Sequence, residues 1–275
     1  MTGVQTCALP IFSHTTLRVQ KPQTRQSKNK ASITALDYAF TELFSADTTQ
    51  AQVCQKVGEP LVSQVFAGHK ASLLAYGQTG TGKTFSMWGP VGGGKTYHGI
   101  IPYVLQRIFQ KKTEQPTHSI EIAYLQIYQE QLQDLFIVPE AKVAPVPLFI
   151  RERADNEVFV ENLSWQPAEQ LSEVQEWITI GNKNRKIAAT QLNQKSSRGH
   201  ALFFIRVTSA EQCTGTLLLA DLAGSEAINK AHGTQTLTST QRRESVTINK
   251  SLTQLGLVMQ ALHDKAPHIP FRNSM

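Results

Sequence analysis

Eight residues, GQTGTGKT from Gly77 to Thr84, constrain this chain more than any other stretch. They fit Gly, four residues, Gly, Lys, then Ser or Thr, the pattern of a phosphate-binding P-loop. A loop whose amides converge on phosphate oxygens needs glycine wherever a Cβ would block the curvature or the approach. Gly77, Gln78, Thr79, Gly80, Thr81 and Gly82 are therefore read as the cradle. Lys83 would set an ammonium on the β and γ phosphates, and Thr84 would offer a hydroxyl to Mg²⁺. Ahead of them, the apolar run Ala71 to Tyr76 predicts a buried strand, the element a P-loop follows. A second match, GPVGGGKT at Gly89 to Thr96, would need Phe85 to Trp88 as its strand. The first loop needs the same residues to open its helix, so the first site is preferred and 92–94 are read as a flexible glycine loop.

The chain has 275 residues, 40% hydrophobic and 17% charged, enough to bury a sizeable core. Met1 to Ile11, MTGVQTCALPI, reads as a non-native, adapter-derived segment and is set aside, leaving 12–275 for fold reasoning. Cys54 and Cys213 are far apart and lack metal-ligand spacing, which fits a reducing, cytoplasmic setting and no disulfide framework. No apolar run approaches the ~18 residues of a membrane span. The net charge of +6 implies an anionic partner, nucleic acid or an acidic protein surface, without choosing between them.

Along the chain, Ser13 to Leu36 is a basic segment without acidic residues, read as solvated. Ala51 to Gly68 spaces Val53, Val57, Leu61 and Val65 four apart, as a core-facing helix kinked at Pro60 would. Ile100 to Phe109 reads as a helix, and Ile120 to Tyr128 and Val158 to Leu163 as strands. Between Glu169 and Ala189, Leu171, Val174 and Ile178 mark one helical face that should pack on a sheet. Strands alternating with helices argue for an α/β layered domain. No repeat, low-complexity tract or domain boundary is evident.

A second constellation follows. NQKSSRGH at 193–200 is too dense in hydroxyls for a strand and leads into the apolar strand Ala201 to Val207. Leu217 to Ala220 then predicts a buried strand ending in Asp221, with DLAGSE running to Glu226. An acid at the end of such a strand holds Mg²⁺ in P-loop enzymes, and Gly224 would turn a backbone amide to the γ phosphate. Each segment alone is weak; in this order behind a P-loop they describe a γ-phosphate sensor.

These residues resemble a kinesin motor domain. The resemblance takes in GQTGTGKTFSM, SSRGH and DLAGSE, with TQAQV at Thr49, GIIP at Gly99, IYQEQLQDLF at Ile127 and VFVENLS at Val158. It continues through GNKNRKIAATQLN at Gly181 and INKSLTQLGLVMQAL at Ile248 into HIPFRNS at His268, covering nearly all of 38–274. It implies a three-layer P-loop NTPase domain, with a central mixed and mostly parallel sheet flanked by helices, and a microtubule-dependent ATPase using ATP and Mg²⁺. By position, Ser196, Ser197 and Arg198 correspond to the first switch, with Ser197 at the metal, and Asp221, Gly224 and Glu226 to the second. Asp221 would reach Mg²⁺ through water, and Arg198 and Glu226 would pair as the site closes. Phe85 corresponds to the side chain that stacks on adenine.

The resemblance also implies a track-binding surface on the cytoskeleton. Thr247 to Leu262 puts Leu252, Leu255, Met259 and Leu262 on one stripe, read as the buried face, with Lys250 and Gln254 outward. Lys230, Arg242, Arg243, Lys250, Lys265 and Arg272 in and around this helix are the candidate contacts to acidic tubulin. Two positions depart from the family pattern: Gly199 replaces a serine, expected to loosen the first switch, and Ala227 replaces an arginine. No Arg-x-Arg-Pro element precedes Tyr38, and the chain stops at Met275 ahead of family elements, so a partial motor domain is expected. A GTPase is disfavoured because Asn229-Lys230 is followed by Ala231 and His232 rather than by a guanine-reading Asp. A non-hydrolysing microtubule-binding pseudo-motor remains the alternative.

Overall fold

The structure is a computed structural model that describes residues 11–12, 15–20, 35–90, 99–137, 146–154, 157–191, 199–225 and 239–273. The chain forms two compact units, 1–49 and 50–275. The first is a three-stranded antiparallel sheet of β1 (Ile11–Phe12), β2 (Thr16–Gln20) and β3 (Ala35–Ala39), in that order. Most of the basic segment, 21–34, lies outside the described residues.

The second unit is built on a six-stranded mixed sheet. Its strands are β4 (Lys70–Ala75), β5 (Ser119–Tyr128), β6 (Gln131–Asp134), β9 (Gln166–Pro167), β10 (His200–Thr208) and β11 (Thr214–Asp221). They run in the order β4-β11-β10-β5-β6, with β9 added on β5. Against the expected mostly parallel arrangement, β4–β11 is the parallel pairing and the other described pairings of this sheet are antiparallel. The reason is connectivity: β10 returns as β11 through the short tip Ser209–Cys213, and β5 returns as β6 through Gln129 and Glu130, both at positive φ. Tight reversals can only join antiparallel neighbours. A separate hairpin pairs β7 (Phe149–Glu152) with β8 (Val158–Glu161).

Side-chain alternation along the strands assigns the layers. Phe203, Ile205, Leu217 and Leu219 point into one core with Tyr124, where they meet α1 (Gln50–Phe66), α3 (Ile100–Glu114) and α4 (Leu171–Gln191). Leu202 and Ala220, on the opposite face, meet Leu252 and Leu255 of α5 (Ser239–His263). The sheet thus lies between helical layers. On α1 the fully buried stripe is Cys54, Gly58, Val62 and Val65; Val53, Val57 and Leu61 flank it and are half-buried. Gly58 explains the rotation, because a Cβ there would lie 2.8 Å from the Tyr103 ring, so α1 and α3 approach along a face that carries no bulk. Pro60 sits inside α1. On α4, Val174 is buried with Leu171 and Ile178 packed beside it, as the spacing predicts. Gly181 of α4 lets Tyr124 approach, since a Cβ would meet the ring at 2.4 Å.

Three burial expectations are corrected. β4 is not a buried strand: its residues alternate between exposed and half-buried, and Leu74 and Tyr76 are exposed. It stands at the end of the described sheet order with β11 as its neighbour, so one flank has no strand over it among the described residues. On α5 the apolar stripe is buried at Leu252, which packs with Leu222, but not along its length: Met259 and Leu262 are exposed at 57% and 47%. Gln254, expected to point outward, is half-buried and its Oε1 has no hydrogen-bond partner among the described residues.

Candidate functional site

β4 ends where the loop Gly77–Gly82 begins, and α2 (Lys83–Trp88) leaves it. Phe85 to Trp88 are helical, as the first P-loop requires; the second match, Gly89 to Thr96, lies outside the described residues except for Gly89 and Pro90. Gly77, Gly80 and Gly82 have φ of 152°, 83° and 95°, a region that L side chains avoid. A Cβ on Gly80 or Gly82 would meet nothing within 4 Å, so backbone conformation, not crowding, demands glycine there. Thr81 donates to the Gln78 carbonyl at 2.8 Å, which tightens the turn. Lys83 folds back over this loop, and its Nζ donates to the carbonyls of Gly77 at 2.9 Å and Gln78 at 2.7 Å.

Opposite the loop, β11 delivers Asp221, 2% exposed, beside β4 in parallel register with Ala75. Thr84 Oγ1 donates to Asp221 Oδ2 at 2.8 Å. The Arg185 guanidinium, from α4, lies 3.6 Å from the same oxygen. Asp221 Oδ1 is buried without a hydrogen-bond partner among the described residues. The segment beyond Asp221 is fastened to the loop, since the Leu222 amide donates to Ala75 and the Ser225 amide to Gly77. A cavity of ≈ 240 Å³ opens between them, lined by Thr79, Gly80, Gly82, Lys83 and Thr84 on one side. Arg185, Asp221, Leu222 and Gly224 line the other, and Phe85, half exposed, lies at its rim.

The fit to Mg²⁺ can be tested on these atoms. A buried carboxylate oxygen without a partner, next to a threonine hydroxyl that also bonds the carboxylate, is a hard-oxygen donor set of the kind that a small divalent cation prefers. An ammonium resting on the carbonyls of a glycine loop suits a polyphosphate. Both groups fit.

The other sequence-derived residues are distributed as follows. Ser196, Ser197, Arg198, Glu226, Ala227 and Lys230 lie outside the described residues. Arg242 and Arg243 fall within α5, and Lys250 is exposed on it. Lys265 is exposed just past the helix, and the Arg272 guanidinium is exposed and paired with Glu152 of β7 at 2.8 Å. Gly199 is buried, and a Cβ there would lie 2.8 Å from Gln126 Nε2 and 3.3 Å from the Ile127 carbonyl. A close approach, and not added freedom alone, therefore accompanies the glycine. Arg185 and His200 are functional candidates that motif reading misses. Arg185 had a signal: it continues the Val174, Ile178, Gly181 stripe of α4, and a cation on a buried stripe needs a counter-charge.

A P-loop, a strand-end carboxylate and a mixed sheet between helical layers define a nucleotide-binding α/β domain of the P-loop class. The chain belongs to the kinesin motor domain family, whose model matches residues 6–275. It is 40% identical over 247 residues to the kinesin-like protein klp-20 of Caenorhabditis elegans, covering 86% of this chain and 36% of that protein. It is 36% identical to the kinesin heavy chain of Strongylocentrotus purpuratus, covering 86% and 23%. Its fold matches a solved fast kinesin, presented for its ATPase mechanism and interactions with microtubules, with a TM-score of 0.78 at 28% identity over 96% of this chain and 72% of that one. A KIF14 dimer with AMP-PNP in complex with a microtubule matches with a TM-score of 0.80 at 29% identity, covering 98% and 77%. The chain spans about a third or less of the length of these curated relatives.

Proposed function

We propose that this chain is the catalytic part of a microtubule-stimulated ATPase of motor type, working on the cytoskeleton. The observation that carries the reading is the cavity in which Lys83, Thr84 and the glycine loop face Asp221, Arg185 and Gly224. The kinesin relatives support the choice of ATP and of microtubules as partner.

In this reading Lys83 exchanges the Gly77 and Gln78 carbonyls for β and γ phosphate oxygens, so its charge is neutralised by substrate. The loop amides of Gln78, Thr79, Gly80, Thr81 and Gly82 hold the remaining oxygens, and Phe85 covers the adenine ring. Thr84, Ser197 and Asp221, the last through water, would hold Mg²⁺. When bound, Mg²⁺ supplies the charge that a loose phosphoryl-transfer transition state needs. Gly224 turns its amide to the γ phosphate, while Ser196 and the Arg198–Glu226 pair orient the attacking water and exclude others. Lys230, Arg242, Arg243, Lys250, Lys265 and Arg272 face the acidic track.

Steady-state ATPase assays with and without microtubules test the reading, with nucleotide affinity measured alongside. Lys83→Ala should weaken ATP binding roughly 10- to 100-fold. Arg198→Ala or Glu226→Ala should leave affinity within a few-fold and cut turnover about 100- to 1000-fold, because the pair acts in the transition state. ATP binding without any turnover, with or without microtubules, would establish the non-hydrolysing alternative instead.

A further inference from the structure

The proposed function leaves several buried ionisable side chains unused, among them Lys112, Asp134 and His200. His200 opens β10, directly after the Ser196–Gly199 segment, and its ring is buried. Both ring nitrogens are engaged, and they reach different elements. Nδ1 accepts from the Ala223 backbone N–H at 3.2 Å, one residue before Gly224. Nε2 lies 3.0 Å from the Ser251 hydroxyl on α5, next to Lys250. An amide can only donate, so Nδ1 is the lone-pair nitrogen and Nε2 carries the hydrogen that Ser251 Oγ accepts. The ring is neutral, because burial pushes its pKa down to about 4, helped by the Arg185 charge and opposed by Glu130.

We propose that His200 is a positioning residue that joins the γ-phosphate sensor to helix α5, so that displacement of the Ala223–Gly224 backbone is passed to α5 through one rigid ring. The inference rests on the function proposed above. Apolar packing also joins these parts: Leu252 and Leu255 of α5 pack with Ala220, Leu222 and Leu202. Apolar packing is non-directional and lets a helix slide. Two hydrogen bonds from opposite edges of an aromatic ring fix distance and direction, and neither can break without leaving a buried polar group unsatisfied. Coupling between two sites needs such a shared element, one whose position both sites bias.

Hydrogen exchange of α5 amides, with and without a non-hydrolysable ATP analogue, reads this joint without requiring turnover. The comparison is between wild type, Ser251→Ala, Ser251→Thr and His200→Asn. Asparagine keeps an acceptor for the Ala223 amide but is too short to reach Ser251, so it cuts only the link to α5. Wild-type α5 is expected to change its exchange on analogue binding. In Ser251→Ala and His200→Asn that response should fall about tenfold while analogue affinity stays within about threefold, and Ser251→Thr should restore it. Microtubule stimulation of turnover should fall with the exchange response. An α5 that ignores nucleotide in wild type, an undiminished response in both cut variants, or an analogue affinity lost in parallel with the response overturns the proposal. A wild type whose α5 responds normally but whose turnover microtubules do not accelerate overturns the motor reading and leaves the joint standing.

Discussion

Protonating His200 costs the fold. The unfolded chain takes up this proton near pH 6.5, whereas burial delays uptake in the folded chain to about 4. Between those values the unfolded state binds more protons, so stability falls as pH drops through this window and levels off, for this group, below it. Glu59 and Glu157 behave as lowered carboxylates: Glu59 is held down first by the Tyr103 hydroxyl and Glu157 by Lys70, so their contributions are lost only below the ordinary carboxylate range. The interval from pH 7 to pH 5 therefore lies above the range in which these two carboxylates titrate. Urea unfolding should show wild type losing about 2 kcal/mol more across it than His200→Asn. Equal losses in the two proteins would mean that the ring is open to solvent.

At the scale of elements, burial along α5 sets a sharp expectation. Leu252 is 5% exposed against Leu222 and Ala220, so Leu252→Ala should cost roughly 2–4 kcal/mol. Met259→Lys and Leu262→Lys, at exposed positions, should stay within about 0.5 kcal/mol. Chemical denaturation of the three variants checks it; comparable losses at all three would restore the continuous buried stripe. The same helix shows what sequence can and cannot say. Its apolar periodicity predicted a helix and its register, but periodicity reports which residues share a face, not what covers that face. β4 repeats the lesson: LLAY reads as interior because it is apolar, yet it lies at the end of the described sheet order. The P-loop was more legible, because it is local in sequence and its conformation follows from local constraints such as the positive φ of Gly80 and Gly82. Arg185 and the His200 bridge were not, since each acquires its meaning from partners 36 and 51 positions away in the chain, Asp221 and Ser251.

Over the whole molecule, a net charge of +6 attracts any polyanion at low salt, so charge by itself does not select the partner. Selection has to come from where basic residues meet the sensor. Lys250 is exposed on α5 and adjoins Ser251, whose hydroxyl contacts the ring that holds Ala223; a partner docked on Lys250 is thus two hydrogen bonds from the Ala223–Gly224 backbone. The expected outcome at near-physiological salt is ATPase stimulation by microtubules and none by double-stranded DNA or single-stranded RNA. Changing Lys250, Arg242 and Arg243 to alanine should weaken microtubule affinity about tenfold and flatten its dependence on salt between about 50 and about 200 mM, because fewer screened contacts remain. Turnover without microtubules should be unaffected by those changes. Stimulation by nucleic acid, or microtubule stimulation indifferent to the three substitutions, would move the docking surface away from α5 and with it the case for a microtubule motor.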